Sequence, residues 1–477
     1  MFSWETISSA IIFLADAATI MRALLRPHRE PASRLAWIIA VLALPVVGVL
    51  LYFFLGETRI SAGRRRRGRE INAQLPRPSG NFECRDERAA AAHWAAFALA
   101  RSVNKLDPTT GNHARLASDS NSAIDDMVAD IDAARENVHG CFYIWLTDNN
   151  GVKLKDAFIR AARRGVQVRL LADALGSRRL IRSSHWKDMR EGGCQVLVAL
   201  PVGNPLWTLI RGRVDLRNHR KLMIVDNKVA WCGSQNGADP EFRIKPRYAP
   251  WVDIMSRWEG PVAAQCQYLF VSDWIAEKGD DISSLLADPA SSGSGDILAQ
   301  VLGTGPTAEF DAMPACFSEL IHTAREELVV TTPYFIPDEQ LLFALTSAGR
   351  RGVRTLMLFP KRNDNWIVAA ASRSYYKDLI DAGVEIYEFR PGLLHAKTMV
   401  VDRRVGLIGS ANLDRRSFEL NFENNILFDD HAFATAVRKR QDDYLAECDR
   451  VSREDVGDYG LVLRLWQNLL ATLSPML

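Results

Sequence analysis

Two apolar stretches dominate the N-terminal part of the chain. Leu35 to Gly56 contains no charge and is long enough to cross a bilayer as a helix. Pro45 lies inside it and is tolerable there, because neighbouring groups can satisfy the carbonyl it frees. Trp4 to Met21 is about one span long but carries Glu5 near its start and Asp16 within it. A cleavable signal peptide would set Lys or Arg ahead of its apolar run. None precedes Trp4, and the second stretch follows at once. The pattern predicts an N-terminal transmembrane helical hairpin, with Asp16 turned toward a partner helix or a polar cavity.

Residues 71 to about 117 are polar, alanine-rich and without a clear period. The pattern then becomes legible, and it occurs twice. Ser122 to Glu136 reads as an amphipathic helix, Val138 to Trp145 as a strand, Lys153 to Arg164 as a helix, and Val166 to Ala172 as a strand. The second half answers in the same order, with a helix over Ala312–Glu327, a strand over Leu328–Thr332, a helix over Glu339–Arg351 and a strand over Val353–Phe359. Arg163-Arg-Gly-Val166 and Arg350-Arg-Gly-Val353 agree letter for letter. Strands alternating with helices imply an α/β fold with a mixed sheet in each half and helices over its faces. Lys278 to Asp296, rich in Asp, Ser and Gly, reads as a linker. The expected domains are 1–70, 71–290 and 297–477.

At 477 residues the chain has room for two or three cores. Its seven cysteines form no C-x-x-C pair, which argues against a disulfide framework and a zinc site. The net charge of +2 is unevenly placed. The segment from Met1 to Glu70 holds ten Arg, no Lys and five acidic side chains, a balance of +5 that leaves the rest at −3. A nuclease would be expected to keep its positive charge on the catalytic body, so no nucleic-acid partner is expected. Arg22, Arg26, Arg29 and Arg34 lie between the two apolar stretches; Arg59, Arg64 to Arg67 and Arg69 lie beyond the second. The positive-inside bias puts the body in the cytoplasm by a modest margin, and the Arg64–Arg67 run would attract anionic headgroups.

The chemistry is carried by a repeated motif. His219-Arg-Lys-Leu-Met-Ile-Val-Asp226 and His395-Ala-Lys-Thr-Met-Val-Val-Asp402 are both H-x-K-x4-D, followed by Gly233-Ser-Gln-Asn236 and Gly409-Ser-Ala-Asn412. On a strand, His219 and Lys221 share a face, as do His395 and Lys397. With Asn227-Lys228 as a two-residue turn, Lys221 would face Ser234 and His219 would face Asn236. With Arg403-Arg404 as the second turn, Lys397 would face Ser410 and His395 would face Asn412. Each half then offers one patch of His, Lys, Ser and Asn. The six motif residues, His219, Lys221, Asp226, His395, Lys397 and Asp402, are the candidate catalytic set. Asp226 and Asp402 serve the turn in this geometry. Ser234, Asn236, Ser410 and Asn412 are candidate substrate contacts.

Two further stretches lie outside the repeat. The interval from Gly193 to His219 is more than twice that from Gly383 to His395. The insertion, with Pro201 to Trp207 and Leu209-Ile210, reads either as an acyl-chain wall or membrane lip or as a packed surface loop. Leu461 to Leu477 is apolar and is expected to pack on the body rather than lie in the membrane interface.

The two motifs resemble those of the phospholipase D superfamily. The two-span start, Tyr143-Ile-Trp145, Thr332-Pro-Tyr-Phe-Ile-Pro337, Asn218-His-Arg-Lys221 and Ser410-Ala-Asn-Leu-Asp-Arg-Arg-Ser-Phe418 make it similar to the bacterial cardiolipin synthases. The resemblance implies two pseudo-twofold-related domains sharing one site, with no metal and no cofactor. It implies transphosphatidylation, in which two phosphatidylglycerol molecules give cardiolipin and glycerol through a phosphatidyl-histidine. It assigns His219 as nucleophile and His395 as acid and base. It supplies a carboxylate for each imidazole from its own half, Asp253 for His219 and Glu423 for His395. It places the chain in the bacterial cytoplasmic membrane as a multi-pass protein and leaves a homo-oligomer open. A phospholipase D that hydrolyses lipids, and a synthase with phosphatidylethanolamine as donor, share every one of these residues. A catalytically silent lipid-binding scaffold would not need two intact motifs.

Overall fold

The computed structural model describes all residues except 1–3, 27–30, 58–59, 79–86, 204–214, 243, 287–292, 308–310, 458 and 473–477. The apolar loop expected at 201–210 therefore lies largely outside the described residues, as do the middle of the linker and the last residues of the chain. One compact unit runs to Ser61, and a larger body starts at Ala62.

The first unit holds α1 (Trp4–Leu25), α2 (Pro31–Ala43) and α3 (Val47–Leu55). At 22 residues α1 is about 33 Å long, enough for one crossing. The second expected span is not a single helix. It breaks over Leu44, Pro45 and Val46, where Val46 takes φ 67°. Proline has no N–H to continue the ladder, and its ring crowds the preceding turn. Absence of charge made this stretch look like one rod; the proline decides otherwise.

In the body, the first sheet contains β2 (His113–Leu116), β3 (Asn137–Phe142), β4 (Gln167–Asp173), β5 (Gln195–Ala199), β7 (Lys221–Val225), β8 (Val229–Gly233) and β10 (Met255–Glu259), ordered β2-β10-β8-β7-β3-β4-β5. The second contains β1 (Thr109–Gly111), β11 (Gly295–Thr304), β12 (Glu327–Thr331), β14 (Arg354–Pro360), β15 (Glu385–Phe389), β17 (Thr398–Val401), β18 (Val405–Gly409), β20 (Asn421–Asp429) and β21 (Cys448–Val451). Its order is β1-β11-β20-β18-β17-β12-β14-β15-β21. Between these lie the very short strands β6 (Arg217–Asn218), β9 (Trp251–Val252), β13 (Phe335–Ile336), β16 (Leu393–Leu394) and β19 (Leu413–Asp414). Both sheets are mixed. In each, a parallel run (β3-β4-β5, β12-β14-β15) adjoins an antiparallel hairpin (β7-β8, β17-β18). The segment without a period contributes a helix over Glu87–Asn104, whose Ala96, Phe97 and Ala100 pack with Phe317 and Leu320 of the second half. It then gives β1 to one sheet and β2 to the other. The halves also share a core, in which Leu222, Ile254 and Trp258 pack with Leu356, Ile408 and Phe428.

The hairpin register differs from expectation by one residue in both halves. Leu222 pairs with Cys232 and Val225 with Val229; Thr398 pairs with Ile408 and Val401 with Val405. The left-handed residues are Asp226 and Asn227, and Asp402 and Arg403, so each turn starts one residue earlier than a turn at Asn227-Lys228 or Arg403-Arg404. Asp is among the side chains that tolerate this conformation, and here the tolerated geometry is also used. The Asp226 carboxylate accepts the N–H groups of Arg135, Glu136 and Asn137 at 2.8–2.9 Å, tying the hairpin tip to the entry of β3. Asp402 does the same for Arg325, Glu326 and Glu327 at 2.8 Å.

Removing either carboxylate strands backbone donors without touching the patch at the other end of the strand. Asp226→Ala and Asp402→Ala should each lower the stability of the body by about 1–3 kcal/mol, read as a shift in its urea midpoint. An unchanged midpoint with complete loss of product would show that these carboxylates act in the chemistry.

Candidate active site at the junction of the two halves

Two short parallel bridges, each made by a two-residue strand, create the site. β6 pairs in parallel with Asn421-Phe422 at the start of β20, and β16 pairs in parallel with β9. In each case the next residue of one strand is a motif histidine, and the next residue of its partner is a carboxylate. His219 N donates to Phe422 O at 2.9 Å, and His219 Nδ1 lies 2.9 Å from both oxygens of Glu423. His395 N donates to Val252 O at 2.8 Å, and His395 Nδ1 lies 2.6 Å from Asp253 Oδ1. The pairing is crossed. Each imidazole is held by the carboxylate of the other half, not by its own as the family resemblance implied. With Nδ1–H given to a carboxylate, Nε2 keeps its lone pair.

The lysines are buried with them. Lys221 Nζ donates to His219 O, and Lys397 Nζ to His395 O, both at 2.6 Å, leaving each ammonium two further protons. Ser234 and Ser410, expected on the substrate face, instead donate to Asp253 and Glu423 respectively. This follows from the one-residue shift in register. Asn236 accepts from Ile144 N with its carbonyl, while its Nδ2 is buried with no partner among the described residues. Asn412 Nδ2 contacts Ser417 Oγ at 3.2 Å, and its Oδ1 is the unpaired atom. Asp226 and Asp402 sit at the far ends of β7 and β17. Residues that sequence reasoning did not assign also belong here. The Tyr143 ring packs edge-on to His219 at 4.9 Å and lies 5.4 Å from Lys221 Nζ; the Trp251 ring is 4.7 Å from His395. Tyr143 stood in the sequence within the family signature Tyr143-Ile-Trp145, without a role of its own, and Trp251 was visible only as an aromatic letter near a strand end.

Burial governs the electrostatics. It pushes Lys221 down to about 8 and Lys397 to about 7. It also depresses both imidazoles, His219 well below its usual range, with Lys221 and Lys397 adding to the effect. The carboxylates diverge. Burial raises Glu423 to about 7 despite Lys221 beside it. Burial also opposes the charge on Asp253, yet His395, Lys397 and Ser234 together hold it below its usual value. The two halves are thus alike in geometry and unlike in charge. Arg416, hydrogen-bonded to Asp215 O at 3.1 Å, adds positive potential at His219.

A phosphatidylserine synthase of Haemophilus influenzae Rd KW20 has a similar fold, with a TM-score of 0.57 over 86% of this chain and 97% of that one, at 13% sequence identity. Fold and repeated motif together define a two-domain phospholipase D-like protein. Residues 127–272 and 317–444 match the family model described as cardiolipin synthase, PLD-like domain, and residues 10–57 match that of the phospholipase D-nuclease N-terminal region. Cardiolipin synthase A of Yersinia pseudotuberculosis serotype O:1b (strain IP 31758) and that of Yersinia pestis bv. Antiqua (strain Angola) are each 33% identical over 486 residues, covering 100% of this chain and 99% of theirs. The chain belongs to the cardiolipin synthase family.

The crossed pairing makes a stability prediction. In double-mutant cycles on unfolding, His219→Ala should couple with Glu423→Ala, and His395→Ala with Asp253→Ala, by about 0.5–3 kcal/mol. The same-half combinations should be nearer additive. Stronger coupling within each half would overturn the crossed arrangement.

Proposed function

We propose that the chain makes cardiolipin by transferring a phosphatidyl group from one phosphatidylglycerol to the primary hydroxyl of a second, releasing glycerol. The observation that carries this reading is the junction itself, where two imidazoles with free Nε2 atoms share a buried site with two ammonium groups. Lys221 and Lys397 hold the non-bridging oxygens of the phosphodiester, assisted by the Asn236 amide. His219 attacks phosphorus in line, forming the P–N bond as the P–O bond to glycerol breaks, and His395 gives its proton to the departing alkoxide. His395, now neutral, takes the proton from the incoming hydroxyl, whose oxygen displaces His219.

The difference between the halves supports this division of labour. Ionised Glu423 accepts Nδ1–H of His219, and burial with Lys221 and Lys397 nearby holds that imidazole well below its usual range, which suits a neutral nucleophile. Asp253 keeps its charge and raises the proton affinity of His395, which suits an acid. An N-terminal helix long and apolar enough to cross a membrane, and the full-length likeness to cardiolipin synthases, favour lipid acceptors over water. We further propose that the protein resides in the bacterial cytoplasmic membrane with its body in the cytoplasm.

Purified protein given phosphatidylglycerol alone should form cardiolipin and glycerol. Given cardiolipin and rising glycerol, it should regenerate phosphatidylglycerol, because one glycerol phosphodiester is exchanged for a similar one. Phosphatidic acid as the main product throughout would leave hydrolysis as the activity. The covalent adduct should map to His219, and its recovery on His395 would reverse the assigned roles.

The lysines set an alkaline limit. Their charged form is lost as pH rises through about 7 for Lys397 and about 8 for Lys221. The kcat/KM for phosphatidylglycerol should therefore fall across that interval. A rate that held to the ordinary lysine range near ~10 would show that both ammonium groups stay charged in the free enzyme.

A further inference from the structure

The N-terminal unit was expected to cross the membrane twice, and its geometry fits a different contact with lipid. Trp37 on α2 and Tyr52 on α3 are 15 positions apart, which a straight helix would separate by about 22 Å. Their rings instead meet edge to face at 5.3 Å. A Cβ added to Gly48 would lie 2.5 Å from Ala40 O, so only glycine lets α3 leave the turn this close to α2. The two helices therefore run back along each other.

Their far ends meet at one knot. Tyr52 Oη donates to Glu57 at 3.0 Å. Glu57, 1% exposed, also binds Arg22 at the end of α1 at 2.7 Å and pairs with Arg26 just beyond it. Arg34 at the start of α2 donates to Arg26 O at 3.0 Å. The end of α1, the start of α2 and the exit from α3 thus lie at the same level.

We propose that α2 and α3 form a re-entrant hairpin embedded in one leaflet, so that the chain crosses the bilayer once, through α1, and leaves on the face opposite its N-terminus. Length agrees. At 13 and 9 residues, α2 and α3 are about 20 and 14 Å long, against about 30 Å for the hydrocarbon core. The tip agrees as well. Leu44, Val46 and Val47 are apolar and exposed, as a tip inside hydrocarbon should be. Its backbone is largely satisfied, since Pro45 has no N–H, Val47 N donates to Pro45 O and Gly48 N to Leu44 O.

Charge is the independent argument. Two crossings would split the ten arginines four and six between opposite faces, against the positive-inside bias. A single crossing puts all ten on the face where the chain continues into the body, and none on the N-terminal side. The partner surface is then the anionic leaflet on the body's side, with Arg22, Arg26 and Arg34 at headgroup level around Glu57.

Cysteines introduced singly at Trp4, Pro31, Val46 and Ser61 test this without reference to catalysis. Each is treated with a membrane-impermeant maleimide in spheroplasts of a bacterial host, before and after permeabilisation. The unsubstituted chain sets the background, and carbonate-resistant membrane retention serves as the check on insertion. Trp4→Cys should be labelled in sealed spheroplasts. Pro31→Cys and Ser61→Cys should be labelled only after permeabilisation, and Val46→Cys in neither condition. Ala32→Cys replaces Pro31→Cys if the latter is not retained. Labelling of position 31 or 32 on the face opposite Ser61 would restore two crossings. Trp4 and Ser61 on one face, or Val46→Cys reactive from the Trp4 face, would equally overturn the proposal.

Discussion

The site depends on an exchange of strands only two residues long. A parallel bridge of Arg217-Asn218 with Asn421-Phe422 forces the next pair, His219 and Glu423, to face each other. The bridge of Leu393-Leu394 with Trp251-Val252 does the same for His395 and Asp253. Neither half holds its own histidine. A single copy of the fold would bury an imidazole without its carboxylate, at the full cost of an unsatisfied polar group. The site therefore needs two copies of the fold, and this chain carries both. The core shared between Leu222, Ile254, Leu356 and Ile408 keeps the two bridges in register.

Around these bridges almost every buried charge is tied to a neutral group that fixes its position. The lysines are tethered to the carbonyls of their own histidines, and the carboxylates to the serines that follow each motif. The Asn424 side chain accepts from Lys221 N at 3.0 Å and donates to Lys221 O at 3.3 Å, bracing the strand from the opposite half. Buried ion pairs of this kind add little to stability once desolvation is counted. Their value here is position. The tethers hold these side chains in place, and burial brings the lysines down to about 8 and about 7.

Much of this was legible in the sequence because period and punctuation are local. The helix expected over Glu339–Arg351 is found over Glu339–Arg350, and the strand expected over Val353–Phe359 over Arg354–Pro360. The shared face of His219 and Lys221 needed only the alternating period of a strand. What failed was long-range or finely balanced. The crossed partners are 204 and 142 positions apart, and nothing local tells a carboxylate which half it will serve. The hairpin register turned on whether the left-handed pair began at Asp226 or Asn227, a choice settled by three backbone donors on a distant turn. The second apolar stretch carried its own warning in Pro45, outweighed in the reading by the unbroken lack of charge from Leu35 to Gly56. β1 and β2 are too short to show a period at all.

The asymmetry between the halves follows from one difference of side chain and surroundings. Asp253 is the shorter acid, held by a serine and by an imidazole beside a lysine, and it remains an anion. Glu423 is fully buried and is raised to about 7. Two lysines lowered to about 7 and 8 face one persistent carboxylate and one raised to about 7, so the empty site sits close to neutral and an entering phosphodiester anion draws the lysines toward their charged form. Once that anion enters, the balance turns negative, and the least costly correction is a proton. Of the two imidazoles, His395 beside the persistent Asp253 anion is the better place for it. In the mechanism proposed above, the entering phosphate would itself favour a proton on His395, the acid, and leave His219 neutral. A symmetric pair of carboxylates would draw the proton to both imidazoles equally and leave the nucleophile blocked as often as the acid is armed.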